Sequence, residues 1–199
     1  MIILVRHGQT EINASGQFQG RIDRPLSELG TRQAAALATA LADCGAVRVW
    51  SSPLRRAVET ATPIAAALGL SVEIDARLVE LDYGAWEGRP LAEVSADEWA
   101  QWRADADFAP PGGESLRAVR ARIDAWLRDM LIADGPVVAV SHMSPIKAAI
   151  CSALDTDDRA TWRMHLDLAA VSRLARRGGS LALVGYNATF PPTATATAG

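Results

Sequence analysis

Lysine is almost missing from this sequence: Lys147 is the only one among 20 basic residues, and the rest are arginine. A lone arginine therefore says little, and only arginine inside a motif carries weight. A basic field is missing too. With a formal net charge of -3 and a pI near 5.6, nothing draws nucleic acid or an anionic membrane surface. No apolar run is long enough to span a bilayer, and Met1 to Val5 is too short for an export segment. The two cysteines, Cys44 and Cys151, lie far apart in apolar surroundings, so they read as free thiols rather than a disulfide framework. These absences lead us to expect a cytoplasmic chain without nucleic-acid or membrane partners. Three histidines, none four residues from another, offer no local zinc motif. No G-x-G-x-x-G follows the first apolar run, which argues against a dinucleotide fold. We expect neither metal nor cofactor.

What is present suits one domain with a proper core: 199 residues, 49% hydrophobic and 22% charged. Ile2 to Val5 is wholly apolar and predicts a central strand buried on both faces. A polar loop from Gln9 to Pro25 leads to a helix opened by Ser27 and Glu28 and ended by Gly45. Val47 to Trp50 predicts a second strand, Leu54 to Leu68 a helix, and Val72 to Ile74 a short edge strand. From Leu78 to Gly113 the pattern weakens, and we read an active-site loop carrying one helix near Leu91 to Arg103. Ser115 opens a helix whose apolar face is Leu116, Val119, Ile123, Trp126, Leu127 and Met130. Pro136 to Val140 predicts a buried strand, Pro145 to Leu154 a helix, and Val171 to Tyr186 a hairpin turned by Gly178-Gly179. Residues 190–199, rich in Pro, Thr and Ala, predict a disordered tail beyond a domain of residues 1–189. Strands alternating with helices imply an α/β fold, a three-layer α/β/α sandwich with a mostly parallel central sheet. An exposed apolar edge strand would favour a homodimer.

Two predicted strands end in histidine, His7 and His142. Arg6 beside His7 puts a cation next to an imidazole at a sheet edge, where α/β folds expose their chemistry. That pair suits holding a phosphoryl group while the imidazole attacks phosphorus. A third strand leads into Ser52-Pro53-Leu54-Arg55-Arg56. Arginine in a first helical turn, near free backbone N–H groups, helps bind an anion; Arg55 reads as part of a solvated face.

Arg6-His7-Gly8 with Asn13, Ser52-Pro53-Leu54-x-Arg56-Ala57-x-x-Thr60, Glu80-x-x-x-Gly84-x-Trp86-Glu87-Gly88, Gly113-Glu114-Ser115 and Ser141-His142 occur in this order. Together they resemble the histidine phosphatase superfamily, with its phosphoglycerate mutase-like fold, over roughly residues 1 to 155. The resemblance implies that His7 becomes phosphohistidine. It implies a phosphate pocket of Arg6, Arg56 and His142, with Asn13, Gln19 and Gly20 nearby, and Glu80 as proton donor to the leaving oxygen. Tyr83, Met143 and Ser144 are further candidates for contact with substrate. Asp82 is the rival acid, since alternation on an extended segment would put it on the same side as Glu80. Arg6 and Arg56 should depress the pKa of His7, and a bound phosphate should raise that of His142 and of a nearby carboxylic acid.

The family commonly has glycine after its second histidine. Met143 stands there instead, which should narrow the pocket and unsettle backbone contacts that need glycine; Ser144 could add a hydroxyl. The Ser-His-x-x-Pro-Ile-Lys run, residues 141–147, is similar to an acid phosphatase and α-ribazole phosphatase subgroup. Only 24 residues separate Gly88 from Gly113, whereas the family's mutases carry a longer cover. The expected activity is therefore metal-independent hydrolysis of a small phosphorylated metabolite. Mutase-type phosphotransfer and non-catalytic phosphate binding are the alternatives. Trp86, Trp99, Trp102 and Phe108 are expected to pack beneath the loop, or to line its mouth against an aromatic or sugar-containing leaving group. Glu114 and Ser115 either cap the following helix or touch substrate.

Overall fold

The computed structural model describes residues 1–192. In chain order the elements are β1 (Ile2–Arg6), α1 (Glu11–Ala14), α2 (Glu28–Leu41), β2 (Arg48–Ser51), α3 (Arg55–Leu68), β3 (Val72–Ile74), α4 (Ala96–Ala104), α5 (Leu116–Ile132), β4 (Val137–Ser141), α6 (Met143–Ala153), β5 (Val171–Arg177) and β6 (Ser180–Ala188). Four 3-10 turns, Ala76–Leu78, Gly84–Trp86, Leu91–Glu93 and Asp158–Arg163, fill connections.

One sheet has the order β3-β2-β4-β1-β5-β6. It is mixed: β1–β4, β2–β4 and β2–β3 pair in parallel, while β1–β5 and β5–β6 are antiparallel. Side chains of β1 alternate between faces. Ile2 and Leu4 join the core beneath α5 and α6, while Ile3 and Val5 join the one beneath α2 and α3. Val137 and Ala139 against Val138 and Val140 repeat the division on β4. The three-layer expectation is met, and the apolar runs of β1 and β4 are explained by burial on both sides.

Several boundaries differ from the expectation. Thr10 and Asn13 form a capping box that opens α1 inside the predicted loop. The helix α2 ends at Leu41, short of Gly45, whose positive φ of 67° serves the turn into β2. The single helix expected near Leu91 to Arg103 is two pieces. The chain turns at Leu91–Glu93, and a capping box of Ser95 and Glu98 then starts α4. The helix α6 begins at Met143, with Pro145 in its first turn, where a missing N–H costs nothing. Gly178 and Gly179, at φ 53° and 84°, turn the hairpin as expected. Phe190, placed in the tail by the sequence, packs against the α2/α3 core; residues 193–199 of that tail lie outside the described residues. No helix among the described residues is long and apolar enough to cross a membrane.

Candidate active site

The register of β1 on β4 assembles the site. Arg6 pairs with Ser141, so the next residues of the two strands, His7 and His142, emerge side by side with ring centroids 5.0 Å apart. On the other side of β4, Ser51 pairs with Val140, which brings Ser52 and the start of α3 to the same edge. Three strand ends thus converge where the chain departs in different directions.

His7 is buried, and its Nδ1 lies 2.7 Å from the Gly8 carbonyl. A carbonyl only accepts, so Nδ1 carries the proton and Nε2 keeps its lone pair. Arg56 Nε donates toward that Nε2 at 3.3 Å. The rest of the Arg56 guanidinium is held by the carbonyls of Gly20 at 2.6 Å and Ile22 at 2.9 Å. Arg6 donates to the Leu166 carbonyl, and its Nε has no partner among the described residues. Gly8 is required by close approach: a Cβ there would sit 2.6 Å from the carbonyl oxygen of Gly30 in α2.

Burial first, then Arg56 and Arg6, hold the His7 pKa well below the ordinary histidine range. The direction expected from the arginines is met, with burial the larger cause. His142 is held low as well, by burial, then Arg56, His7 and Arg6. It is fully buried behind His7 and is not among the residues that line the cavity. Its Nε2 lies 2.8 Å from Ser52 Oγ, and its Nδ1 has no partner among the described residues.

Asn13 and Gln19 turn their amide oxygens toward Thr10, whose hydroxyl lies 3.0 Å from Asn13 Oδ1 and 2.7 Å from Gln19 Oε1. That leaves amide nitrogens, which can only donate, toward the site; Gln19 Nε2 is buried without a partner among the described residues. Glu80 follows the Ala76–Leu78 turn and faces the start of α6. Its Oε2 accepts from Met143 N at 3.1 Å, and its Oε1 from Ser144 N at 3.2 Å and Leu81 N at 2.8 Å. It satisfies helix N–H groups that His142 does not cap. Asp82 does not share that side. It accepts from Gly84 N at 2.8 Å and pairs with Arg21, contacts that hold it away from the cavity lining. Met143 adopts the backbone of an ordinary first helical residue, without positive φ, so this position does not require glycine, and its N–H binds Glu80.

Arg6, His7, Asn13, Gln19, Gly20, Arg56, Glu80, Tyr83, Met143 and Ser144 all line one cavity of about 390 Å³. Burial and Glu80 push the Tyr83 phenol up, so its hydroxyl stays protonated. Sequence reasoning missed Lys147, Trp162, His165 and Asp167, which also line it. Of these, Lys147 had a signal, standing three and four residues beyond Ser144 and Met143 on one helix. The aromatics do both things expected of them. Trp86 and Trp102 are buried core, yet Trp102 and the stacked Trp99, 5.5 Å away, form cavity wall. Ser115 and Glu114 are structural: Ser115 caps α5 by accepting from Ala118 N, and Glu114 binds Arg122 and Arg21. Arg55 is exposed and paired with Glu59, as expected.

Known proteins resemble this chain in sequence and fold. A bifunctional protein of Mycobacterium tuberculosis is 42% identical over 178 residues, covering 86% of this chain and 49% of that protein. The chain thus spans about half the length of the curated relatives it matches at that identity. Phosphoserine phosphatase 1 of Hydrogenobacter thermophilus is 36% identical, covering 86% of this chain and 84% of its own length. The solved structure of mycobacterial glucosyl-3-phosphoglycerate phosphatase with VO3 superposes with a TM-score of 0.87 at 33% identity, over 94% of this chain and 98% of that one. The family model for the histidine phosphatase superfamily (branch 1) matches residues 2–189. With that match running from the first residue of β1 to just beyond β6, over the strand ends that carry both histidines, this chain belongs to the histidine phosphatase superfamily.

Proposed function

We propose that residues 1–189 form a phosphoric monoester hydrolase of the acid phosphatase type, acting on a small phosphorylated metabolite through a phosphohistidine on His7. The observation that carries this reading is the tautomer of His7: Nδ1–H on the Gly8 carbonyl leaves a neutral, nucleophilic Nε2 beside Arg56 in the cavity. In the first step Nε2 forms a bond to phosphorus as the ester P–O bond breaks. Protonated Glu80 gives its proton to the leaving oxygen. In the second step Glu80, now a carboxylate, takes a proton from water, whose oxygen attacks phosphorus and breaks the P–N bond. Inorganic phosphate leaves and neutral His7 returns.

Charge spreading over the equatorial oxygens is met by Arg6 and Arg56, with the amides of Asn13 and Gln19 as further contacts, while His142 stands behind His7 outside the cavity lining and backs the nucleophile rather than the phosphate. Guanidiniums supply this charge without a metal ion in the scheme. The phosphatase names of the relatives described above support hydrolysis over transfer. The compartment we propose is the cytoplasm, which the free thiols Cys44 and Cys151 fit. The test is phosphate release from p-nitrophenyl phosphate in EDTA, with trapping of ³²P on the protein. Wild type should turn over and label; His7→Ala should do neither, and full activity in that variant would overturn the reading.

A further inference from the structure

The chain's one lysine stands in the wall of the cavity. On α6 it lies one turn beyond the two N–H groups that bind Glu80. Met143, Ser144 and Lys147 share a helix face at spacings of three and four, and all three line the cavity. The neighbouring guanidiniums are tied to carbonyl oxygens. The Lys147 ammonium has no hydrogen bond or ion pair among the described residues. The other basic side chain at that end, His165, is paired with Asp167 at 2.8 Å. A partly desolvated cation without a counterion favours an incoming anion. Burial and Arg6 pull the Lys147 pKa down to about 8, with Glu80 opposing them, so the ammonium form still dominates at pH 7.

A second unsatisfied group lies close by in the fold. The Asp158–Arg163 turn packs on α6. It carries Thr161, whose side-chain oxygen is buried without a partner among the described residues and which lines the same cavity. An ammonium and a hydroxyl on adjacent elements match the two oxygens of a carboxylate. A second phosphate would bring two charges, for which the phosphoryl end uses two arginines.

Building on the phosphatase reading, we propose that Lys147 is a specificity-determining residue that binds a carboxylate on the leaving alcohol, with Thr161 as its second contact. The rest of that alcohol then lies along Trp99 and Trp162.

The experiment compares 3-phosphoglycerate with glycerol 3-phosphate, esters that differ in carrying a carboxylate or a primary alcohol at the far end. Wild type should favour the carboxylated ester in kcat/KM by about tenfold or more. Lys147→Met should bring the ratio near one, chiefly through KM, and Lys147→Arg should restore most of it. An unchanged ratio in Lys147→Met, or no preference in wild type, would overturn the assignment of Lys147. Dissociation constants for the same two esters, measured by calorimetry on wild type and both variants, judge Lys147 even without turnover. Inactivity of wild type toward every ester would sink the hydrolase reading alone. Should Lys147→Met fail to fold, Thr161→Val should lower the same ratio, and an unchanged value there would count against the proposal.

Discussion

The two ends of the cavity are built differently. The end we propose for the phosphoryl group hangs on the sheet: Arg6 ends β1, His7 and His142 lie one residue past paired strands, and Arg56 stands in the first turn of the helix that follows β2. The end we propose for the leaving group is made of helix faces and one turn meeting by aromatic packing: α4, the α6 face that carries Lys147, and the Asp158–Arg163 turn. Trp99 comes from α4 and Trp162 from the Asp158–Arg163 turn, with ring centroids 6.0 Å apart although 62 residues separate them. Strand register positions atoms rigidly, whereas turns can change without disturbing the sheet. On the proposed reading, reaction and selectivity occupy separately supported parts of one cavity.

Perturbing the first end should lower activity toward all esters alike. Arg56→Ala should cut kcat/KM by roughly 10²–10³, as loss of one oxyanion donor does elsewhere. A loss that depended strongly on the leaving group, in a panel of phosphorylated sugars, glycerates and nucleotides, would break the division. Gly8→Ala probes the rigidity itself. Its Cβ meets the Gly30 carbonyl at 2.6 Å, so unfolding in denaturant should show a loss of about 1–3 kcal/mol.

Acid sharpens the same contrast, because both low-pKa imidazoles lie at the phosphoryl end. Folded, His7 and His142 are held below their ordinary range, whereas the unfolded chain titrates them near 6.5. Below that pH the unfolded state takes up protons that the folded state refuses. Stability is therefore kept above about pH 6.5 and lost as pH falls, at up to about 1.4 kcal/mol per unit for each ring. Calorimetric Tm values between pH 7.5 and 5 should fall in wild type and fall less steeply in His7→Ala. The acid limb of kcat/KM should correspondingly lie below pH 6.5.

The effect on ester selectivity belongs to the second end. Trp99→Ala should reorder the ester panel by shifts within about 1–3 kcal/mol, the range for pocket contacts. A uniform drop across the panel would instead tie Trp99 to the phosphoryl end.

What could be read in advance follows the same line. Arg6, His7 and Arg56 were legible as groups at strand and helix ends, where local patterning is strong, whereas Glu80 was singled out only through the family resemblance. The buried runs of β1 and β4 and the Gly178-Gly179 turn were legible for the same reason. The break between Leu91–Glu93 and α4 was not, although Ser95 and Glu98 carry a capping signal, because the surrounding apolar spacing suits one helix equally well. Asp82 misled because its carboxylate is drawn to Gly84 N, where the Gly84–Trp86 turn starts, and to Arg21, partners that alternation alone does not reveal. The recruitment of Trp162, His165 and Asp167 left no local trace, since their segment meets the cavity only through contacts distant in sequence, Trp162 with the α4 tryptophans and Asp167 with Asn187 of β6.

By itself the sequence determined which elements exist and which chemical groups stand at their ends, because hydrophobic period and turn chemistry act within a few residues. Tertiary structure alone decided that β4 lies beside β1, that His142 stands behind His7, and that the single lysine faces the cavity. Those outcomes depend on contacts between residues distant along the chain, whose loop-closure cost and packing gain no local pattern encodes.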